Sequence, residues 1–159
     1  MPTEIERKWL LKTFPAMEGA SHSEVEIIYL STEPEIRVRK KVDLHNEKCK
    51  YIITLKSDGS VSRKEYESKV NKEIFEGAKI LVPTPPINKE QYKLQVDEHM
   101  IVFNNVNNNT FLYAEVEFKT EDEANKYIFP FDDIVIKEVT YDPKYKMKNY
   151  WKETVKLHS

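Results

Sequence analysis

With 159 residues, 40% hydrophobic and 33% charged, and a formal net charge of −2, the chain has the length of a single domain, residues 1–159, with room for a sizeable core. Its 25 Lys and Arg nearly cancel its 27 Asp and Glu, so neither nucleic acid nor a membrane surface is expected as a partner, since both need a clustered basic excess. No apolar run approaches the roughly 18–20 residues that cross a bilayer, and the lone Cys49 closes no internal disulfide, which suits a reducing, cytoplasmic setting.

The chain opens on Glu4-Ile5-Glu6-Arg7-Lys8, without the pattern of a signal peptide. Alternation predicts a strand over Glu4 to Leu11, with Glu4, Glu6 and Lys8 on one face and Ile5 on the other. A loop with Pro15 and Gly19 follows, then strands over Glu24 to Leu30 and Ile36 to Val42. The turn Asp43 to Glu47 leads to a strand from Cys49, read as a semi-buried strand residue, to Lys56. Ser57-Asp58-Gly59-Ser60 is the strongest hairpin signal and leads to a strand over Ser62 to Ser68. Val70, Ile74, Ala78 and Leu81 recur at helical spacing and predict a helix from Val70 to Leu81, ended by Pro83, Pro85 and Pro86. Strands are expected over Lys89 to Val96, His99 to Phe103 and Phe111 to Thr120, with the Asn run from Asn104 to Asn109 as a hairpin loop. A short helix over Glu121 to Ile128 and a strand over Ile134 to Thr140 come next. Asp142-Pro143 then caps a last helix through Tyr150 and Trp151. The fold class is β-rich α+β, a barrel or a sandwich of short antiparallel strands.

The opening pattern returns as Arg37-Val38-Arg39, Thr54-Leu55-Lys56, Glu65-Tyr66-Glu67 and Glu115-Val116-Glu117. A sheet that merely shows charge to water mixes polar types; here like charges stand two apart, which costs cross-neighbour repulsion. Segregation by sign suits a lumen in which Arg37 and Arg39 meet a polyanion while Glu4, Glu6, Glu115 and Glu117 hold cations. Ile5, Ile36, Val38, Ile53, Leu55, Val116 and Phe118 then point outward to pack under helices, around a polar, wet interior. Charge buried on that scale must be paired, metal-bound or hydrated.

Only Gly19, Gly59 and Gly77 are present, so neither a P-loop nor a dinucleotide fingerprint is available, and phosphate must be held by side chains such as Arg forks. His22, His45, His99 and His158 lack zinc-site spacing. Carboxylates without His or Cys select hard cations such as Mg²⁺ or Mn²⁺.

Taken in order, these motifs resemble those of the CYTH domain proteins, or triphosphate tunnel metalloenzymes. The N-terminal E-x-E-x-K is Glu4-Ile5-Glu6-Arg7-Lys8; Tyr29-Leu30-Ser31 precedes the R-V-R at Arg37-Val38-Arg39; Thr54-Leu55-Lys56 matches T-x-K. Arg63-Lys64-Glu65-Tyr66-Glu67 matches R-x-E-x-E, Lys89 opens a K-x-R-Y motif, Ala114 to Phe118 is A-E-V-E-F, and Glu138 to Tyr145 resembles E-V-T-x-D-x-x-Y. Two departures stand out: Gln91 replaces the Arg of K-x-R-Y, and Met100-Ile101-Val102-Phe103 carries no acid, with Asp97 and Glu98 beside it.

The resemblance implies an eight-stranded antiparallel β-barrel forming a tunnel with a few flanking helices, acting on a small-molecule triphosphate with Mg²⁺ or Mn²⁺; a homodimer stays open. On that footing Arg37, Arg39, Lys56 and Lys89 grip the phosphates with Lys8 assisting. Glu4, Glu6, Glu115 and Glu117 hold metal, with Asp142 as a further ligand or only a helix cap. Glu65 or Glu67 positions and activates water. Five such cations against six such carboxylates match a triphosphate of roughly four negative charges only once divalent ions are bound. The leading expectation is hydrolysis of inorganic triphosphate or a related triphosphate. The alternatives are ATP cyclisation of the class IV adenylyl cyclase type and a non-catalytic polyphosphate-binding module.

Overall fold

The computed structural model describes residues 3–83 and 85–158, with side chains through residue 153. Nine strands and three helices follow one another as β1 (Thr3–Leu11), β2 (Ser21–Thr32), β3 (Glu35–Asp43), β4 (Cys49–Lys56), β5 (Ser62–Val70), α1 (Lys72–Leu81), β6 (Ile87–Val96), β7 (His99–Val106), β8 (Phe111–Phe118), α2 (Glu121–Lys126), β9 (Val135–Glu138) and α3 (Met147–His158). The spatial order is β5-β4-β3-β2-β6-β7-β8-β1-β9, and β5 also pairs with β1. Eight antiparallel strands therefore close into a barrel, which decides between the barrel and the sandwich.

Closure is uneven. One edge of β1 meets β5 only over Thr3–Ile5 and is taken by β9 over Trp9–Leu11. Its other edge pairs with β8 from Ile5 to Leu11. Where β5 leaves off, the 3-10 turn Pro143–Tyr145 that follows β9 comes against the wall, and Lys8 Nζ donates to the Tyr145 carbonyl at 3.0 Å.

Alternation fixes what faces out. Trp9, Leu11, Ile101, Phe103, Ala114, Val116 and Phe118 form an outer core with Ala124 of α2. Ile28 and Val38 pack under α1 through Phe75 and Ala78. The lumen is less uniformly polar than expected: β2 offers it no charge, and Val25, Ile27, Tyr29, Ile87 and Val106 pack with Met147 of α3 into an apolar floor at one end. α3 is fastened across that end by Lys148 to Asp58 at 2.5 Å, by the contact of Tyr150 with Asn107 at 2.9 Å and by Trp151 against the Tyr29 ring.

Several element boundaries shift for local reasons. α1 starts at Lys72 because the Asn71 side chain accepts from Ile74 N at 3.1 Å, while Val70 stays in β5. Its buried side is Phe75 and Ala78, whereas Ile74 and Leu81 of the predicted stripe are 49% and 82% exposed. Asn104 and Asn105 extend β7, and the hairpin proper is Asn107, Asn108 and Asn109, all at positive φ. Asp97 is also at positive φ, so Asp97 and Glu98 form the β6–β7 turn. Gly59 is required in its hairpin, since a Cβ there would run into the Ser62 carbonyl oxygen. Cys49 is exposed rather than semi-buried.

Candidate active site

A cavity of about 300 Å³ fills the charged part of the lumen. Glu4, Glu6, Lys8, Arg37, Arg39, Lys56, Glu65, Glu67, Lys89, Glu115 and Glu117 all line it, as alternation on five motif-bearing strands and on β6 requires. Asp142 does not. Its carboxylate accepts from Lys144 N at 3.0 Å and caps the 3-10 turn begun by Pro143, so it is neither a lumen ligand nor the cap of α3. His22 stacks on Tyr92 and His99 pairs with Glu123 at 2.7 Å, both structural arrangements; the His158 side chain lies outside the described residues.

The carboxylates differ sharply. Glu4 is buried, which by itself would push its carboxyl up. Lys56 at 3.2 Å, a hydrogen bond with Glu65 and Arg63 at 3.0 Å outweigh that and bring it down to about 2. Glu6 is pushed up to about 7 by burial, Glu115 and Glu4. Glu117 likewise reaches about 7 through burial, Glu4 and Glu115. Glu65 is raised by burial and by its hydrogen bond to Glu4. Burial would also raise Glu115, but Lys8, Lys89 and Lys56 hold it below the usual range.

Glu4, Glu6 and Glu117 each bring a carboxylate oxygen within 4.8 Å of the other two. Three hard oxygen donors, two of them pushed up by burial and by the neighbouring carboxylates Glu4 and Glu115, are a donor set that fits a hard divalent cation and gains from one.

The cations are organised around them. Lys56 bridges Glu4 and Glu65, the latter at 3.1 Å. Arg39 meets Glu67 at 2.9 Å. The Nε atoms of Arg37 and Arg39 are buried and donate to nothing among the described residues. Lys89 donates to the Tyr113 hydroxyl, and Lys8 lies 4.4 Å over the same ring. Burial and the surrounding cations Arg37, Lys8 and Arg39 hold Lys89 well below an ordinary lysine, against the pull of Glu115. Burial likewise lowers Lys8. Gln91 faces the lumen but donates to Asn104 Oδ1 at 3.0 Å, so it is spent on the wall.

Residues beyond those singled out in the sequence complete the site. Arg63 reaches Glu4, Glu6 at 3.5 Å and Glu35 at 3.3 Å, fastening β5 to β1 and β3. Its place at the head of R-x-E-x-E was the available signal. Glu35, Lys41, Lys50, Lys93, Tyr113 and Lys146 also face the cavity; inward alternation extended by one step along β3 and β6 and by two along β4 reaches the first four. With them the lining holds ten cations and seven carboxylates, so the described lumen is positive before any metal binds.

A model of the CYTH domain matches residues 2–134 of the chain. An inorganic triphosphatase from Nitrosomonas europaea is 33% identical over 153 residues, covering 92% of this chain and 95% of its own length. A crystal structure of an inorganic triphosphatase, 29% identical, superposes with a TM-score of 0.62 over 94% of this chain and 95% of that one. A protein from Pyrococcus horikoshii OT3, 21% identical, shares the fold with a TM-score of 0.55 over 77% of this chain and 82% of its own.

Proposed function

The chain belongs to the CYTH domain family, and on that footing we propose that it hydrolyses inorganic triphosphate to orthophosphate and pyrophosphate inside its barrel. The observation that carries this reading is one lumen that joins a three-carboxylate group to buried guanidinium nitrogens with no partner among the described residues. The family implies dependence on a divalent metal ion, and Mg²⁺ or Mn²⁺ suits an all-carboxylate donor set. Glu4, Glu6 and Glu117 would hold it with Glu115 beside them. Bound there, it would offset charge on the phosphoryl oxygens and ease ionisation of a water.

The chain's own groups do the rest. The free Nε–H groups of Arg37 and Arg39 offer forks to phosphoryl oxygens, with Lys89 and Lys8 beyond them. Tyr113 sets the direction of both lysines. Lys56 is committed to Glu4 and Glu65, and in this role it aligns the two acids while adding positive charge to the cradle. Glu65, whose carboxyl burial and Glu4 raise above the usual carboxylate range, is the better base for water than Glu67, which is half-exposed and tied to Arg39 and Thr54. Water attacks a terminal phosphorus, its proton passes to Glu65, and the bridging P–O bond breaks with the pyrophosphate oxygen leaving in line.

A phosphate-release screen over inorganic triphosphate, ATP and thiamine triphosphate, with Mg²⁺ and with Mn²⁺, tests the proposal. Fastest metal-dependent release from inorganic triphosphate is expected. Formation of cyclic nucleotide from ATP would make the chain a cyclase, and tight triphosphate binding without turnover would make it a binding module.

A further inference from the structure

The lumen cations differ in their partners: Lys8 and Lys89 are held by the Tyr145 carbonyl and the Tyr113 hydroxyl. Lys56, Arg63 and Arg39 each meet at least one carboxylate. Lys41, Lys50 and Lys93 also line the cavity, yet among the described residues none of their ammonium groups has a carboxylate within 4.0 Å. They stand at the end of the barrel away from α3. Lys41 and Lys50 lie opposite each other near the β3–β4 turn, and Lys93 lies near the β6–β7 turn.

The strands bring the three together. Arg37, Arg39 and Lys41 are successive inward positions on β3, each step covering about 7 Å. Lys93 is the second inward position after Lys89 on β6. β2 runs between β3 and β6, pairing Val25 with Lys41 and Ser21 with Lys93, with Ser23 between them. These side chains are too short to part the lysines, and the like charge of Lys93 acts directly on the Lys41 ammonium. Neighbouring ammonium groups repel unless an anion sits with them. Burial, Lys93, Lys50 and Arg39 already draw Lys41 down to about 7.

A triphosphate has two P–O–P bridges and spans roughly one inward step of strand, ~7 Å. The run from Arg37 to Lys41 is two steps long. We propose that Lys41, Lys50 and Lys93 form an anion subsite that continues the phosphate cradle towards the open end, and that it takes the fourth and later phosphoryl groups of a linear polyphosphate. The inference rests on the triphosphatase reading of the same lumen and extends its substrate class to longer chains.

Calorimetric titration of the metal-free protein with inorganic triphosphate, and with linear polyphosphate of about eight phosphates, reads the subsite as a ratio of Kd values. In the wild type the longer chain should bind about tenfold tighter or better, the order contributed by one charge-assisted contact. In a Lys41→Gln/Lys93→Gln variant the ratio should fall close to one, and in Lys50→Gln, an exposed position that folding does not depend on, it should fall part of the way. A wild-type Kd independent of chain length overturns the inference, as does a double variant that keeps the full gain. If triphosphate is bound and hydrolysed but length brings nothing, this inference alone fails; if triphosphate is neither bound nor hydrolysed, the triphosphatase reading fails with it.

Discussion

Glu4 and Glu6 stand two residues apart on the same face of β1, yet one titrates near 2 and the other near 7. Glu4 has Lys56 and Arg63 against it, whereas Glu6 has only the edge of Arg63 and faces Glu4 and Glu115. In the unfolded chain both would titrate near 4.5. Between about 4.5 and 7 the folded, metal-free protein thus holds more protons at Glu6 and Glu117 than the unfolded chain does, and stability must fall as pH rises through that window. Glu4 acts in the opposite sense: its stabilisation is complete above 4.5 and is lost as pH drops towards 2. In EDTA the thermal midpoint should therefore decline from about pH 5 to about pH 7.5, and Glu6→Gln should flatten that decline; an equal slope in the variant would show that Glu6 carries no such strain. The inward placement of both acids was legible from alternation. Their different charges were not, because Arg63 reaches them across the β1–β5 seam and Glu35 lay just outside the strand expected from Ile36.

At the scale of elements, α1 shows how a correct helix can carry the wrong stripe. The apolar spacing of Val70, Ile74, Ala78 and Leu81 identified the segment, but the Asn71 cap starts the helix two residues later than expected and turns Phe75 inward beside Ala78. Phe75 is fully buried against Ile28, Val38 and Tyr51, and it is the largest side chain that α1 sets into the wall. Phe75→Ala should cost about 3–5 kcal/mol, read as a lowered urea midpoint with unchanged slope, and a loss below about 1 kcal/mol would mean that α1 is not anchored there. The Asn run read well for a local reason: Asn tolerates the left-handed backbone that Asn107, Asn108 and Asn109 adopt. Asp142 read less well because Asp before Pro caps a 3-10 turn as readily as an α-helix.

Across the whole molecule, a chain with a net charge of −2 encloses a lumen with three more cations than carboxylates. Alternation fixes that distribution: on β2 the acids Glu24 and Glu26 face out, while on β3 Arg37, Arg39 and Lys41 face in. Charged pairs recurring on several strands made a closed barrel with a charged interior readable. The floor was not readable in that way, since it needs α3 to return against the inward apolar residues of β2 and β6, a contact between distant parts of the chain. The same closure brings Glu4, Glu6 and Glu117 from two strands into one group. Among the described residues no helix is long and apolar enough to cross a membrane. The central claim is that this group and the cations around it work as one triphosphatase site, and turnover of inorganic triphosphate by wild type and by Glu4→Gln/Glu6→Gln, with and without Mg²⁺ or Mn²⁺, tests it most directly. The account predicts metal-dependent phosphate release by the wild type and a fall of at least about 100-fold in the variant. Full metal-dependent turnover by the variant would contradict it.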